Sequence, residues 1–220
     1  MKSEAAQAAR LRITEIFYSL QGESRSVGVP TVFVRLTGCP LRCGYCDTAY
    51  AFSGGEWMTL DAICEQVARY GAHYVTVTGG EPLAQKACGD LLSMLCDTGV
   101  EVSLETSGAL DISKVDGRVV RVMDIKTPAS GEVEKNLYSN IQYLNPGDQV
   151  KFVICDEADY NWSVNKLNEY HLADICEVLF SPSYGQLDAT TLADWIVRDR
   201  LPVRMQIQLH KVLWGNRAGV

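Results

Sequence analysis

The sequence predicts an α/β fold, a partial (β/α)6 barrel in which parallel strands alternate with helices. Short runs of β-branched and aromatic residues recur along the chain, and segments with the apolar spacing of helices separate them. The alternation occurs about six times, which calls for parallel strands joined by right-handed crossovers. At 220 residues the chain is short for a closed eight-stranded barrel, which takes roughly 250. An open, partial barrel therefore fits better.

The predicted strands are short apolar runs, and one of the clearest is Tyr74-Val-Thr-Val-Thr78, in which β-branched residues dominate. Alternation at residues 11–17 indicates a first strand or ribbon arm ahead of the barrel. The core strands follow. They are predicted at residues 31–37, 74–78, 100–105, 119–124, 149–154, 178–181 and 203–208.

The predicted helices lie between these strands. Thr59 is a candidate N-cap, and the apolar residues that follow it recur on one helical face. Helices are predicted at residues 59–70, 83–97, 112–115, 132–144, 156–171 and 190–200, and a polar tail ends the chain. Residues 1–10 are predicted to be a flexible N-terminal tail, and residues 11–220 to be a single domain.

Composition narrows the classes of function. A net charge of −7 argues against a nucleic-acid-binding or membrane surface along the chain. The sequence holds no apolar run of about 18 residues and no apolar signal core near residue 1. The chain has 8 cysteines, and without an export signal these indicate free thiols in a reducing compartment. We therefore expect a cytoplasmic protein.

Three cysteines form the most informative stretch of the sequence. Cys39, Cys43 and Cys46 have the spacing C-x3-C-x2-C, directly after the strand predicted at residues 31–37. Three thiolates can hold a metal or a cluster and leave one position open, whereas a structural site is normally closed by a fourth ligand. The histidines at positions 73, 171 and 210 show no zinc-finger spacing. A structural zinc loop remains the alternative.

The cysteine spacing resembles the cluster motif of the radical S-adenosylmethionine (SAM) superfamily. A GGEP stretch at residues 79–82 follows the next predicted strand and resembles the superfamily's SAM-binding turn. Glycines at such a turn let the backbone approach a ligand closely. The resemblance implies a [4Fe-4S] cluster on the three cysteines, SAM on its fourth iron, and a partial barrel of the radical SAM type.

Further motifs resemble one family, the 7-carboxy-7-deazaguanine synthases. They are SLQGE at 19–23, CDT at 46–48, ETSG at 105–108, DIK at 124–126 and QLHK at 208–211. The resemblance implies a Mg²⁺-dependent carbon–nitrogen lyase. It would contract the ring of 6-carboxy-5,6,7,8-tetrahydropterin to 7-carboxy-7-deazaguanine and release ammonia, on the route to queuosine. It also implies a homodimer and an external one-electron donor such as a flavodoxin.

The resemblance also implies roles for individual residues. Thr48 would be a Mg²⁺ ligand, and no side chain is assigned as catalytic because the cluster and SAM generate the radical. The residues implied for SAM are Tyr45, Cys46, Asp47, Gly80, Asp124, Ile125, Lys126, Ser181, Pro182, Ser183 and Tyr184. The residues implied for the substrate are Leu20, Gln21, Gly22, Glu23, Arg35, Thr78 and His210.

The chemistry of these side chains agrees with those roles, although other readings stay open. Glu23 can accept from ring N–H groups, and a guanidinium such as that of Arg35 suits a carboxylate. Arg35 could instead form a structural salt bridge, and Thr48 could cap a helix. A glycyl-radical-enzyme activase, acting on a protein partner, is the alternative function. Two features depart from relatives: Ser24 stands where glycine is usual, and the terminal proline carboxylate with which some relatives bind substrate has no counterpart at Val220, so that contact is not expected here.

Overall fold

The computed structural model describes residues 9–215, 217 and 219, and it has an open sheet of nine strands. The strands are β1 (Arg10–Leu20), β2 (Pro30–Leu36), β3 (Glu56–Thr59), β4 (Tyr74–Gly79), β5 (Glu101–Thr106), β6 (Val120–Asp124), β7 (Gln149–Ile154), β8 (Glu177–Pro182) and β9 (Arg204–Met205). Their order is β3-β1-β2-β4-β5-β6-β7-β8-β9. β2 and the strands from β4 to β9 form the parallel part of the sheet, in which each strand pairs with the next one in this order.

β1 and β3 form an antiparallel extension at one edge of the sheet. β1 pairs with both neighbours: residues 10–13 pair with β3, and residues 13–20 pair with β2. Most of the predicted tail, residues 1–8, lies outside the described residues, and Arg10 already belongs to β1. The parallel part confirms the predicted α/β class.

The α-helices are α1 (Leu60–Ala68), α2 (Cys88–Asp97), α3 (Glu157–Glu169), α4 (Leu172–Ile175), α5 (Ala189–Asp199) and α6 (Leu209–Trp214). Thr59 caps α1 as predicted, because its hydroxyl accepts from the backbone N–H of Ala62 at 3.2 Å. Valine, leucine and isoleucine on alternate positions of the parallel strands pack against these helices and form the core. No helix of the described chain is long and apolar enough to cross a membrane.

Several predicted elements were wrong in type or extent. The helix predicted at 132–144 is instead two short 3₁₀ helices, Val133–Lys135 and Tyr138–Tyr143. In this stretch the buried side-chain amide of Asn140 bonds the backbone of the 108–112 segment, and helical periodicity does not account for such long-range bonds. The helix predicted at 112–115 is absent, since Asp111 and Asp116 form local turns instead.

Other predicted boundaries shifted. α2 begins at Cys88 rather than at residue 83, because the extended Gln85 inserts its amide between the backbones of Arg12 and Thr37. The last strand is only Arg204–Met205, and the predicted polar tail contains α6. β3 was not predicted.

Candidate active site

A cavity of about 570 Å³ opens at the carboxyl edge of the parallel strands. Strand residues alternate between the two faces of a sheet, and here apolar residues such as Val77 and Leu104 enter the core. Their neighbours on the other face line the cavity. These lining residues include Phe33, Arg35, Thr78, Glu105, Val122, Asp124, Lys151 and Val153. The cavity therefore has a polar, charged floor in an otherwise apolar sheet.

The cysteine loop forms one wall of this cavity, and Cys39, Cys43 and Cys46 all line it. The three thiols are free and partly buried, and burial raises the pKa of Cys39 and of Cys43. The Arg42 guanidinium fixes the loop by donating to the carbonyls of Cys39 and Leu41 at 2.7 and 2.6 Å. Within the described chain, no three His, Cys, Asp or Glu side chains gather closely enough to hold a single metal ion.

Next to the thiols, the cavity is lined by the glycine turn, Tyr45 and Asp124. A Cβ on Gly80 would lie 2.2 Å from the carbonyl oxygen of Gly38 and 2.8 Å from the Cβ of Cys39, so this position needs glycine. The Tyr45 hydroxyl and Asp124 Oδ1 are buried with no hydrogen-bond partner in the described chain. Unpaired buried polar atoms are costly, so a ligand that pairs with them fits this part of the cavity.

Charged side chains form the floor. Lys151 Nζ lies 2.6 Å from Glu23 Oε2, and Lys126 Nζ lies 2.9 Å from Asp124 Oδ2. Burial alone would raise the pKa of Glu23, but the Lys151 ammonium and the Gln208 amide outweigh it and lower that pKa. Burial likewise works against the charge of Lys151, yet the neighbouring carboxylates raise its pKa well above the ordinary range. Both groups are therefore charged at neutral pH.

Glu105 is a second carboxylate on the floor, and it sits in a different environment. It accepts from Thr78 Oγ1 at 2.8 Å and from Gln21 Nε2 at 3.4 Å. Burial and the nearby charge of Glu23 raise its pKa. Glu105 and Glu23 therefore offer two acceptors of different basicity to the N–H groups of a ligand.

Gln208 and the first residues of α6 lie at the mouth of the cavity. The Gln208 amide donates to Glu23 Oε1 at 2.8 Å and to Asp47 Oδ2 at 3.2 Å, and the Leu209 N–H donates to the Gly22 carbonyl at 2.9 Å. A Cβ on Gly22 would lie 2.2 Å from His210 Nδ1, so glycine there admits the imidazole. Burial lowers the pKa of His210, which favours the neutral ring.

Arg35 occupies the remaining wall. Its Nε donates to Glu15 Oε1 at 2.7 Å, and its guanidinium lies 5.8 Å from the ring centres of Phe17 and Tyr50. The salt bridge considered from the sequence is therefore present. It uses Nε, and within the described residues the other two guanidinium nitrogens make no hydrogen bond, so they can bind a ligand in the cavity that Arg35 lines.

Most of the predicted site residues line this one cavity, including those implied for the cluster, for Mg²⁺ and for the substrate. Ile125 does not, because it is buried in the core, and Ser181 and Pro182 are buried in β8 away from the lining. The sequence reasoning missed Glu105, Lys151 and Gln208 as site residues. The signal for the first two was available: each is a charged residue on the alternate face of an apolar strand.

Ser24 follows Glu23 with φ at +67°, the left-handed conformation that glycine tolerates best. It is buried, and its hydroxyl lies 3.2 Å from that of Ser26. Ser24→Gly relieves a backbone conformation that costs about 1–2 kcal/mol, but glycine also increases the entropy of the unfolded chain, which offsets part of this gain. We therefore expect the free energy of unfolding in urea to rise by up to about 1 kcal/mol. Ser24→Ala keeps the strain and should lower stability. A glycine variant no more stable than the alanine variant would contradict this reading.

An open parallel sheet with a three-cysteine loop at its carboxyl edge is the arrangement expected of a radical SAM protein. The model of the Radical SAM superfamily matches residues 33–123. In fold, the chain is similar to QueE from Escherichia coli, with a TM-score of 0.75 and 22% identity over 90% of this chain and 94% of that one. Superfamily membership implies a [4Fe-4S] cluster and SAM, which the thiols and the unpaired polar atoms described above can receive.

Relatives that match over nearly their whole length identify the family within this superfamily. A 7-carboxy-7-deazaguanine synthase from Chlorobaculum tepidum is 48% identical over 213 residues, covering 96% of this chain and 97% of the relative. Another, from Koribacter versatilis, is 39% identical over 219 residues, covering 93% and 97%. The chain belongs to the 7-carboxy-7-deazaguanine synthase family.

Proposed function

We propose that the chain converts 6-carboxy-5,6,7,8-tetrahydropterin to 7-carboxy-7-deazaguanine, with release of ammonia, in 7-deazapurine and queuosine biosynthesis. One observation supports this most directly: the cysteine loop, the glycine turn and the charged floor open into the same cavity of about 570 Å³. A cavity of this size can hold a small heterocycle beside a cofactor. The full-length similarity to relatives of that name supports the substrate.

In this proposal Cys39, Cys43 and Cys46 hold the [4Fe-4S] cluster. Bound together, the cluster and SAM would supply a 5′-deoxyadenosyl radical able to remove the hydrogen at C6 of the substrate, with SAM regenerated. The residues that line the cavity and would orient SAM are Tyr45, Asp47, Gly80, Asp124, Lys126, Ser183 and Tyr184. Ile125, Ser181 and Pro182 would support them from behind the lining.

The floor and mouth of the cavity suit the substrate. Glu23 and Glu105 would accept from N–H groups of the pterin ring, while Arg35 would bind the 6-carboxylate through the nitrogens not used by Glu15. Gln21 is buried and bonded to Thr76 and Glu105, so its side chain would position the floor, and Leu20 and Gly22 would contribute backbone contacts. Thr78 would orient Glu105, and His210 would close the mouth as a neutral imidazole.

Thr48 and Asp47 offer the hard oxygen donors that Mg²⁺ prefers, at the wall beside the thiols. Thr48 precedes the 3₁₀ helix Ala49–Phe52, but its side chain makes no capping bond and donates to Asp47 Oδ1 at 2.8 Å. This favours the ligand role over the capping role. Mg²⁺ here would complete its shell with water and substrate oxygens and would position the substrate.

Thr48→Ala should keep the cluster and SAM binding. Because it removes the hydroxyl oxygen, it should reduce the increase in turnover rate that Mg²⁺ produces by about tenfold or more. The measurement is the rate against Mg²⁺ concentration at saturating SAM and substrate. Thr48→Ser keeps the hydroxyl and should behave like the parent. An unchanged Mg²⁺ response in Thr48→Ala rejects the ligand assignment.

Anaerobic incubation of the reconstituted protein with SAM, Mg²⁺, a reductant and the carboxypterin tests the whole proposal, with products identified by mass spectrometry. We expect 7-carboxy-7-deazaguanine and ammonia. A glycyl radical on a second protein, detected by electron spin resonance, would favour the activase. Bound zinc without iron or SAM cleavage would favour a structural module. A flavodoxin-type electron donor, a homodimer and a cytoplasmic location remain part of the proposal.

A further inference from the structure

Lys151 connects two carboxylates of the cavity floor that belong to different elements, Glu23 after β1 and Asp124 at the end of β6. Its Nζ lies 2.6 Å from Glu23 Oε2 and 3.7 Å from Asp124 Oδ2. Asp124 and Lys151 are also register partners where β6 pairs with β7, so both side chains project from adjacent strands on the same face. All three side chains are 14% exposed, so water screens these charges little. One ammonium is thus shared between two carboxylates.

The two carboxylates face different ligands, and this step rests on the proposed function. Glu23 belongs to the loop after β1, where substrate N–H groups would bind. Asp124 ends β6 and is one of the residues proposed to orient SAM. Its Oδ2 meets Lys126 and Lys151, whereas its buried Oδ1 has no partner in the described chain. That oxygen is ready to accept from a hydroxyl or ammonium of the cofactor.

We infer that Lys151 is a positioning residue that couples the binding of SAM to the binding of the carboxypterin. An N–H donated by the substrate to Glu23 weakens the attraction of Glu23 for the ammonium. Lys151 then moves toward Asp124, whose Oδ2 becomes held by two ammoniums. Its Oδ1 is fixed toward the cofactor as a result. The coupling is positive, and SAM must tighten substrate binding by the same factor.

The test measures the dissociation constant of SAM for the cluster-loaded protein by equilibrium dialysis, with and without saturating 6-carboxy-5,6,7,8-tetrahydropterin and without reductant. We expect the carboxypterin to tighten SAM binding about fivefold or more in the parent protein. In Lys151→Met the two constants should agree within a factor of about two, and Lys151→Arg, which can still bridge both carboxylates, should retain most of the effect. A merely structural role would weaken both constants and leave their ratio unchanged.

Lys151→Met leaves two buried carboxylates without their shared cation and could unfold the chain. The double variant Lys151→Met with Glu23→Gln removes one charge of each sign, and it too should show no coupling. Retained coupling in either variant, or no coupling in the parent protein, overturns the inference. A parent protein that makes no deazaguanine rejects the proposed function instead, because the dialysis ratio does not depend on turnover.

Discussion

Cys43→Ala is expected to abolish both the intact iron–sulfur cluster and the cleavage of SAM. Cys43 lies between the other two thiols in the sequence, and its loop is held by backbone bonds from Gly44 to Ser130 and from Cys46 to Cys43. The loop therefore keeps its shape without the Cys43 thiol, so the loss can be assigned to a missing ligand. With only two thiolates, two of the four irons have no protein ligand. We therefore expect the intact cluster not to form.

The measurement is iron and sulfide content with visible absorbance after anaerobic reconstitution, followed by assay of 5′-deoxyadenosine, which should fall to background. Cys64→Ala is a matched control, since Cys64 is a partly buried thiol on α1 and does not line the cavity. It should retain the cluster and full SAM cleavage. Normal cluster absorbance in Cys43→Ala would refute the assignment of this thiol.

The parallel strands were predictable because each is a local pattern. β7 was predicted with its observed bounds, and β2 and β8 within one residue at each end. Apolar residues at alternate positions report burial directly, whatever the rest of the chain does. The cysteine loop was equally accessible, since its three thiols lie close together in the sequence.

The remaining elements depend on contacts between distant residues. The 3₁₀ segments of residues 133–143 are set by side-chain amides: Asn136 bonds both the N–H and the carbonyl of Lys126, and Asn140 bonds the 108–112 segment. Gln208 bridges Glu23 and Asp47 across more than 160 positions of sequence. Helical periodicity has no information about such bonds. The charged floor depends on which strand face a residue occupies: Lys151 lies in an apolar strand, but its side chain is on the face that lines the cavity.

Glu81 is the residue whose loss we expect to affect stability most. Its side chain is fully buried, and Oε2 accepts from the N–H of Ser107 at 2.6 Å and its hydroxyl at 2.5 Å. Thr106 Oγ1 donates to both carboxylate oxygens, and the Leu83 N–H donates to Oε1 at 3.0 Å. The backbone N–H of Glu81 also donates to the Gly38 carbonyl, next to Cys39. This residue therefore joins the carboxyl ends of β2, β4 and β5.

Glu81→Ala should lower the free energy of unfolding by about 3–5 kcal/mol, because it removes charge-assisted bonds and leaves buried donors unpaired. SAM affinity should fall with it, since the Gly80 backbone loses its support. Glu81→Gln keeps the shape but presents an amide N–H to the Ser107 donors, so we expect an intermediate loss of both. Urea unfolding and SAM dialysis measure the two effects on the same samples. Glu101→Ala, at an exposed glutamate of β5, should change stability by no more than about 0.5 kcal/mol.

The paired measurement separates two roles for the glutamate of the GGEP turn. If its carboxylate bound SAM directly, Glu81→Gln would lose affinity while keeping the stability of the parent protein. The geometry favours the other outcome, because its carboxylate is saturated by donors from the chain itself and is 0% exposed. In the proposed SAM complex the turn would meet SAM through the Gly80 backbone, and Glu81 would hold that backbone against the loop of thiols. A drop in affinity without a drop in stability would reverse this assignment.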